Sequence, residues 1–154
     1  MAGQIEAKLK GMGVSLPTPA APAATYQPTV ESRGMLYISG QVSIDPAGQK
    51  FLGKLGKDID IDTARQAARV CAINLLSQAK AALGDLDRIK RFVKLTGFVN
   101  CTGDFTDMPK VVNGCSDFLV EALGEKGAHA RSAVGVASLP LGVAVEVEAI
   151  IEIA

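Results

Sequence analysis

Residues 129–153 read HARSAVGVASLPLGVAVEVEAIIEI. With alternating sides, the first part puts Arg131, Ala133, Gly135 and Ala137 on one face and Ser132, Val134, Val136 and Ser138 on the other. The second part puts Val143, Val145, Val147, Ala149, Ile151 and Ile153 on one side, and Glu146, Glu148, Ile150 and Glu152 on the other. A period of two on both sides of "LPLG" predicts strands at about 130–138 and 143–153, paired as a hairpin. In that pairing Glu146 falls opposite Gly135 on the arginine's face. Arg131 then lies about 13 Å along the ladder, at about 3.3 Å per residue. The Val143–Ile153 side is assigned to helices. The arginine side is a floor of small residues, open to a ligand or a second surface.

The rest of the chain supplies the helices. From Asp62 or Thr63 as cap, Ala67, Val70, Cys71, Asn74, Leu75, Ala79 and Ala82 recur near a 3.6 period up to Gly84. A second helix starts near Asp107, with Pro109 in its first turn where a missing N–H costs little, and runs to Gly124. "IKRFVKLTGFVNC" at 89–101 reads as a strand. "TYQPTVESRGMLYISGQVSID" reads as two strands folded at "ESRG", the first held to an edge or irregular position by Pro28. Residues 3–12 form a short amphipathic helix, and the proline-rich 15–24 is an extended connector. The order β-β-α-β-α-β-β predicts an α+β fold, a mixed sheet with two helices on one face. The chain of 154 residues is read as one domain, with 1–24 as its N-terminal helix and connector.

Composition narrows the partners. Sixteen basic and sixteen acidic residues cancel, and aromatics are 5% with no tryptophan, so a global field for nucleic acid is lacking and stacking platforms are scarce. No apolar run is long enough for a membrane span, and the first residues lack a secretory apolar core. Cys71, Cys101 and Cys115 are odd in number and form no CxxC pair, which fits reduced thiols in a cytoplasmic protein. Cys71 lies on an apolar helix stripe; Cys101 and Cys115 remain surface candidates. His129, the only histidine, has no partner legible in the sequence and reads as peripheral.

Four segments, "YISGQVSIDPAG", "ARQAARVCAINLLSQAKAALG", "VKLTGFVNCTGDF" and "ARSAVGVASLPLGVAVEVEAI", together resemble the RidA/YjgF family of imine and enamine deaminases, also known as endoribonuclease L-PSP-type proteins. The resemblance runs from about Tyr26 to Ile153. It implies a chorismate-mutase-like fold, a homotrimer whose sheets form a central barrel, and active sites in clefts between subunits.

Carried over residue by residue, the resemblance makes Arg131 the clamp for a substrate carboxylate. Glu146 becomes the group that positions or activates water. Tyr26, Ser39 and Gly40 become pocket wall, and Ala133 a main-chain contact. The implied reaction hydrolyses a 2-imino or 2-enamino acid to a 2-oxo acid and ammonia, with no metal or organic cofactor required. Two departures mark a divergent, longer branch. Ala133 stands where members often have cysteine, and an ungapped alignment puts Pro109 where many have asparagine. They motivate an alternative, a non-catalytic trimer that binds a small carboxylate-bearing metabolite or serves as a scaffold. A third reading is ribonuclease or translation-inhibitor activity, which the neutral composition argues against.

Overall fold

The computed structural model describes residues 3–19, 22 and 24–154. Positions 20, 21 and 23 of the expected connector lie outside the described residues, as do 1 and 2.

Helix α1 (Gln4–Gly11) precedes the short strand β1 (Thr29–Ser32) and β2 (Met35–Val42). Helix α2 (Ile61–Leu83), β3 (Ile89–Asn100), α3 (Met108–Leu123), β4 (Ala130–Val136) and β5 (Val145–Ile153) follow. The cap of α2 lies slightly ahead of the expected residues: the Asp60 carboxylate accepts from the Thr63 N–H at 2.7 Å.

Among the described residues the strands form one sheet in the order β1-β2-β5-β3-β4. The expected β4–β5 hairpin is absent, because β3 lies between them, parallel to β4 and antiparallel to β5. A parallel pair needs a long crossover, and α3 provides it between β3 and β4. The chain then passes over the end of β3 to reach β5. Buried Asn100 ties this crossing: its Nδ2 donates to the Val143 carbonyl at 3.1 Å, and Lys54 Nζ donates to its Oδ1 at 2.9 Å.

One sheet face carries the core. Leu36, Ile38, Phe92, Leu95, Val99, Val145, Val147 and Ile151 are buried there against Leu75, Leu76, Cys115 and Leu119 of the helices. Helix α1 adds Ile5 and Leu9 to the same core. Asp87, in the turn before β3, accepts from the N–H groups of Gln4 and Ile5 and so caps α1 from a distance of over eighty residues in the chain. The opposite face carries Val30, Tyr37, Phe98, Val134, Glu146, Glu148 and Ile150, half-buried or exposed.

Candidate active site

The register decides where each candidate side chain goes. Arg131 pairs with Leu95, Ala133 with Gly97 and Gly135 with Val99, so all three belong to the helix-covered face. The small residues seat α3. A Cβ on Gly97 would come within 2.7 Å of Val112 Cγ2, and one on Gly135 within 2.6 Å of Cys101 Sγ. Ala133 packs against the core. Helix α3 of the same chain therefore roofs the floor at Ala133, whereas Gly135 and Ala137 stay exposed and line a hollow of about 800 Å³ with Cys101 and Met108.

Glu146 pairs with Phe98 on β3 and with Val42 on β2, which puts it on the open face. The expectation that it shares a face with Arg131 is overturned, and the physical reason is the inserted strand β3. A register shift between Ile38 and Gln41 brings the backbone of Gly40 against the Glu146 carboxylate. A Cβ at position 40 would lie 2.8 Å from Glu146 Cδ, so a side chain there displaces the acid. Burial pushes the Glu146 carboxyl above its ordinary value, and the neighbouring Glu148 pushes it the same way.

Ser39 lies on the open face beside β1, with its Oγ donating to the Pro28 carbonyl at 3.1 Å. It helps line a hollow of about 300 Å³ with Tyr37, Lys94, Thr96 and Glu148. Tyr26 precedes β1 outside any regular element and is 54% exposed. Within one chain, then, Ser39, Gly40 and Glu146 belong to the open face, whereas Arg131 and Ala133 lie across the sheet from them.

Under α3 the structure assembles a polar group that sequence reasoning did not find. Arg131 Nη1 donates to Asn113 Oδ1 at 2.8 Å and to Ser116 Oγ at 3.1 Å. Ser116 Oγ is also 2.9 Å from His129 Nε2, and His129 Nδ1 lies 2.6 Å from the Gly127 carbonyl oxygen. His129 is thus half-buried and doubly partnered rather than peripheral. Burial lowers its pKa, and the Arg131 charge adds to that lowering against the opposing effect of the Gly127 bond. Asn113 lies one helical turn beyond Pro109, so α3 does bring an asparagine to Arg131, four residues after the position given by the ungapped alignment. The legible signal was Asn113 and Ser116, three apart on one side of α3.

Cys71, Cys101 and Cys115 are all buried, so the two surface candidates are withdrawn. Burial pushes the Cys115 thiol up to about 12, and Cys71 rises well above its ordinary value. Neither has the thiolate character of a nucleophile. Among the described residues, no helix is long and apolar enough to cross a membrane.

Residues 6–153 match the family model described as YjgF/chorismate mutase-like, putative endoribonuclease. The chain belongs to this family, the RidA/YjgF proteins. It is 47% identical to Protein TCP17 of Trypanosoma cruzi over 152 residues, covering 98% of this chain and 95% of that one. It is 33% identical to mouse 2-iminobutanoate/2-iminopropanoate deaminase over 135 residues, 86% of either chain. Among solved structures it is similar to Atu1372 of Agrobacterium tumefaciens, a protein of unknown function, with TM-score 0.91 and 44% identity over 97% of this chain and 92% of that one.

Proposed function

We propose that this protein hydrolyses reactive 2-imino and 2-enamino acids to 2-oxo acids and ammonia, at sites shared between copies of the chain. The observation that carries the reading is Arg131, a half-buried guanidinium with no carboxylate within ion-pair distance among the described residues. A guanidinium held by neutral acceptors keeps its charge for an anionic ligand and offers a planar fork to a carboxylate. The family membership and the mouse relative's name support the choice of reaction.

Arg131 fixes the carboxylate beside the C=N carbon and so supplies orientation. Water adds to that carbon while the C=N bond becomes a single C–N bond. Glu146 takes a proton from the water and returns it to nitrogen, giving the carbinolamine. The hydroxyl proton then passes through Glu146 to nitrogen as the C=O bond forms and the C–N bond breaks, leaving the 2-oxo acid and ammonia. A carboxyl pushed upward by burial is a stronger base than an ordinary one, which suits this role.

Because Arg131 and Glu146 occupy opposite faces of one sheet, a second copy has to bring its Glu146 to the first copy's Arg131. The open face offers the means: Val30, Tyr37 and Val134 are exposed apolar residues on it, as expected of a surface covered by another chain. The trimer implied by the resemblance meets this requirement.

A coupled assay that generates 2-aminoacrylate in place tests the reading. The wild-type protein is expected to accelerate 2-oxo acid formation, and Arg131→Ala to lose about 100-fold in kcat/KM, the scale of a lost charged hydrogen-bond pair. Equal rates with and without protein would overturn it. Binding of a 2-oxo acid without turnover would favour the non-catalytic alternative.

A further inference from the structure

We infer that Ser116 and His129 form a positioning chain that fixes the roll of the Arg131 guanidinium and reserves its Nε–Nη2 edge for the ligand carboxylate. The inference rests on the reading of Arg131 as a carboxylate clamp.

The direction of each hydrogen bond follows from its end groups. The Gly127 carbonyl can only accept, so His129 Nδ1 carries the hydrogen. In the neutral ring, which burial favours, Nε2 is then a lone pair facing Ser116 Oγ at 2.9 Å. The single hydroxyl hydrogen of Ser116 is drawn to that lone pair, and its oxygen turns a lone pair toward Arg131 Nη1 at 3.1 Å. Asn113 Oδ1 takes the other Nη1 hydrogen at 2.8 Å. Two acceptors on one nitrogen resist rotation about the Cδ–Nε bond. Nε–H and the Nη2 hydrogens lie outside this network and present a side-on fork.

His129 matters because a serine hydroxyl can point either way. Without an acceptor beyond it, the hydroxyl is free to turn its hydrogen back to a carbonyl of its own helix, which swings the oxygen's lone pairs off Nη1 and loses one of the two restraints. His129 holds it in the accepting orientation. The surrounding charges do not do this work: Asp117, the next residue on α3, pairs with Arg65 at 3.4 Å, and Lys94 donates to Ser132 at 3.0 Å on the other sheet face. Both residues act through Arg131 and are positioning residues.

The test combines calorimetric titration of pyruvate, as a 2-oxo acid probe, with imine turnover. It uses the wild-type protein, His129→Phe, Ser116→Ala, the double variant and His129→Gln, at matched oligomeric state. His129→Phe and Ser116→Ala are each expected to weaken pyruvate binding and raise KM about tenfold, with kcat within about twofold. The double variant is expected to lose no more than either single one, since both cut one chain. His129→Gln, whose amide oxygen reaches the place of Nε2, is expected to retain most of the affinity. Additive losses, a His129→Gln variant as weak as His129→Phe, or a fall in kcat at unchanged KM would overturn the inference. A wild-type protein that neither binds pyruvate nor accelerates hydrolysis removes the clamp itself. A competent wild type matched by His129→Phe removes the positioning chain alone.

Discussion

Arg131 and Glu146 stand on opposite faces of one sheet, the arginine level with Leu95 beneath α3 and the glutamate level with Phe98 on the open side. In a single copy the sheet separates the residue suited to bind an anion from the residue suited to move a proton. Each is prepared separately. Neutral acceptors on α3 orient the guanidinium, and a bulge at Gly40 makes room for the carboxylate. In the proposed reaction, assembly therefore becomes part of the chemistry.

The seat of α3 gives the first prediction. Gly97→Val drives a side chain into Val112, whose methyl carbons would already lie within 2.7–2.8 Å of a Cβ. Overpacking of this kind costs about 1–3 kcal/mol. Denaturant unfolding is expected to show that loss. Carboxylate affinity is expected to fall with it, because α3 carries Asn113 and Ser116 away from Arg131 as it shifts. Gly103→Ala, with nothing within 4 Å of its added carbon, is the control and is expected to be nearly neutral.

The same contacts show what the sequence could and could not convey. Alternation along 143–153 and the 3.6 period along 64–82 made strands, helices and the buried side of β5 legible, because one face of each meets the core. Pairing was not legible. A short "LPLG" link looks like a hairpin turn, and nothing local in β4 or β5 announces that β3 will lie between them. The small residues of β4 were ambiguous for a related reason: a strand without side-chain bulk suits a ligand or a close helix equally, and here Cys101 and Met108 lie against Gly135 while Val112 lies against Gly97 on the neighbouring β3. The arginine's partners come from α3, fifteen and eighteen residues upstream, which only the tertiary fold brings to it.

Glu146 gives a pH prediction. Its folded pKa is raised, so the folded state holds the proton more tightly than the unfolded chain. The contribution is favourable below the ordinary carboxylate value and is lost as pH rises through the folded pKa. Glu146→Gln is therefore expected to raise the thermal midpoint at neutral pH. The gain should shrink as the pH falls below the carboxylate range, as measured by paired thermal scans. A midpoint difference that does not depend on pH would contradict this.

His129 has the opposite sign. Its pKa is lowered by burial and by the Arg131 charge, so folding favours the neutral ring. Its contribution is present above the ordinary histidine value and is lost as pH falls toward the folded pKa. Between about pH 7 and pH 5, the wild-type protein is expected to lose more stability than His129→Gln, which carries no titrating ring. Comparing the two by denaturant unfolding cancels the shared response of Asp60, Asp87, Asp104 and Glu152, whose lowered values also erode stability in acid.

Complementation between two crippled chains tests the shared site most directly. Arg131→Ala and Glu146→Gln are each made alone, then co-expressed in equal amounts and purified as mixed oligomers. If one copy's arginine works with a neighbour's glutamate, random assembly restores about a quarter of the sites, and activity should return to about that fraction of wild type. Mixed oligomers no more active than either variant alone would contradict a site built across two copies.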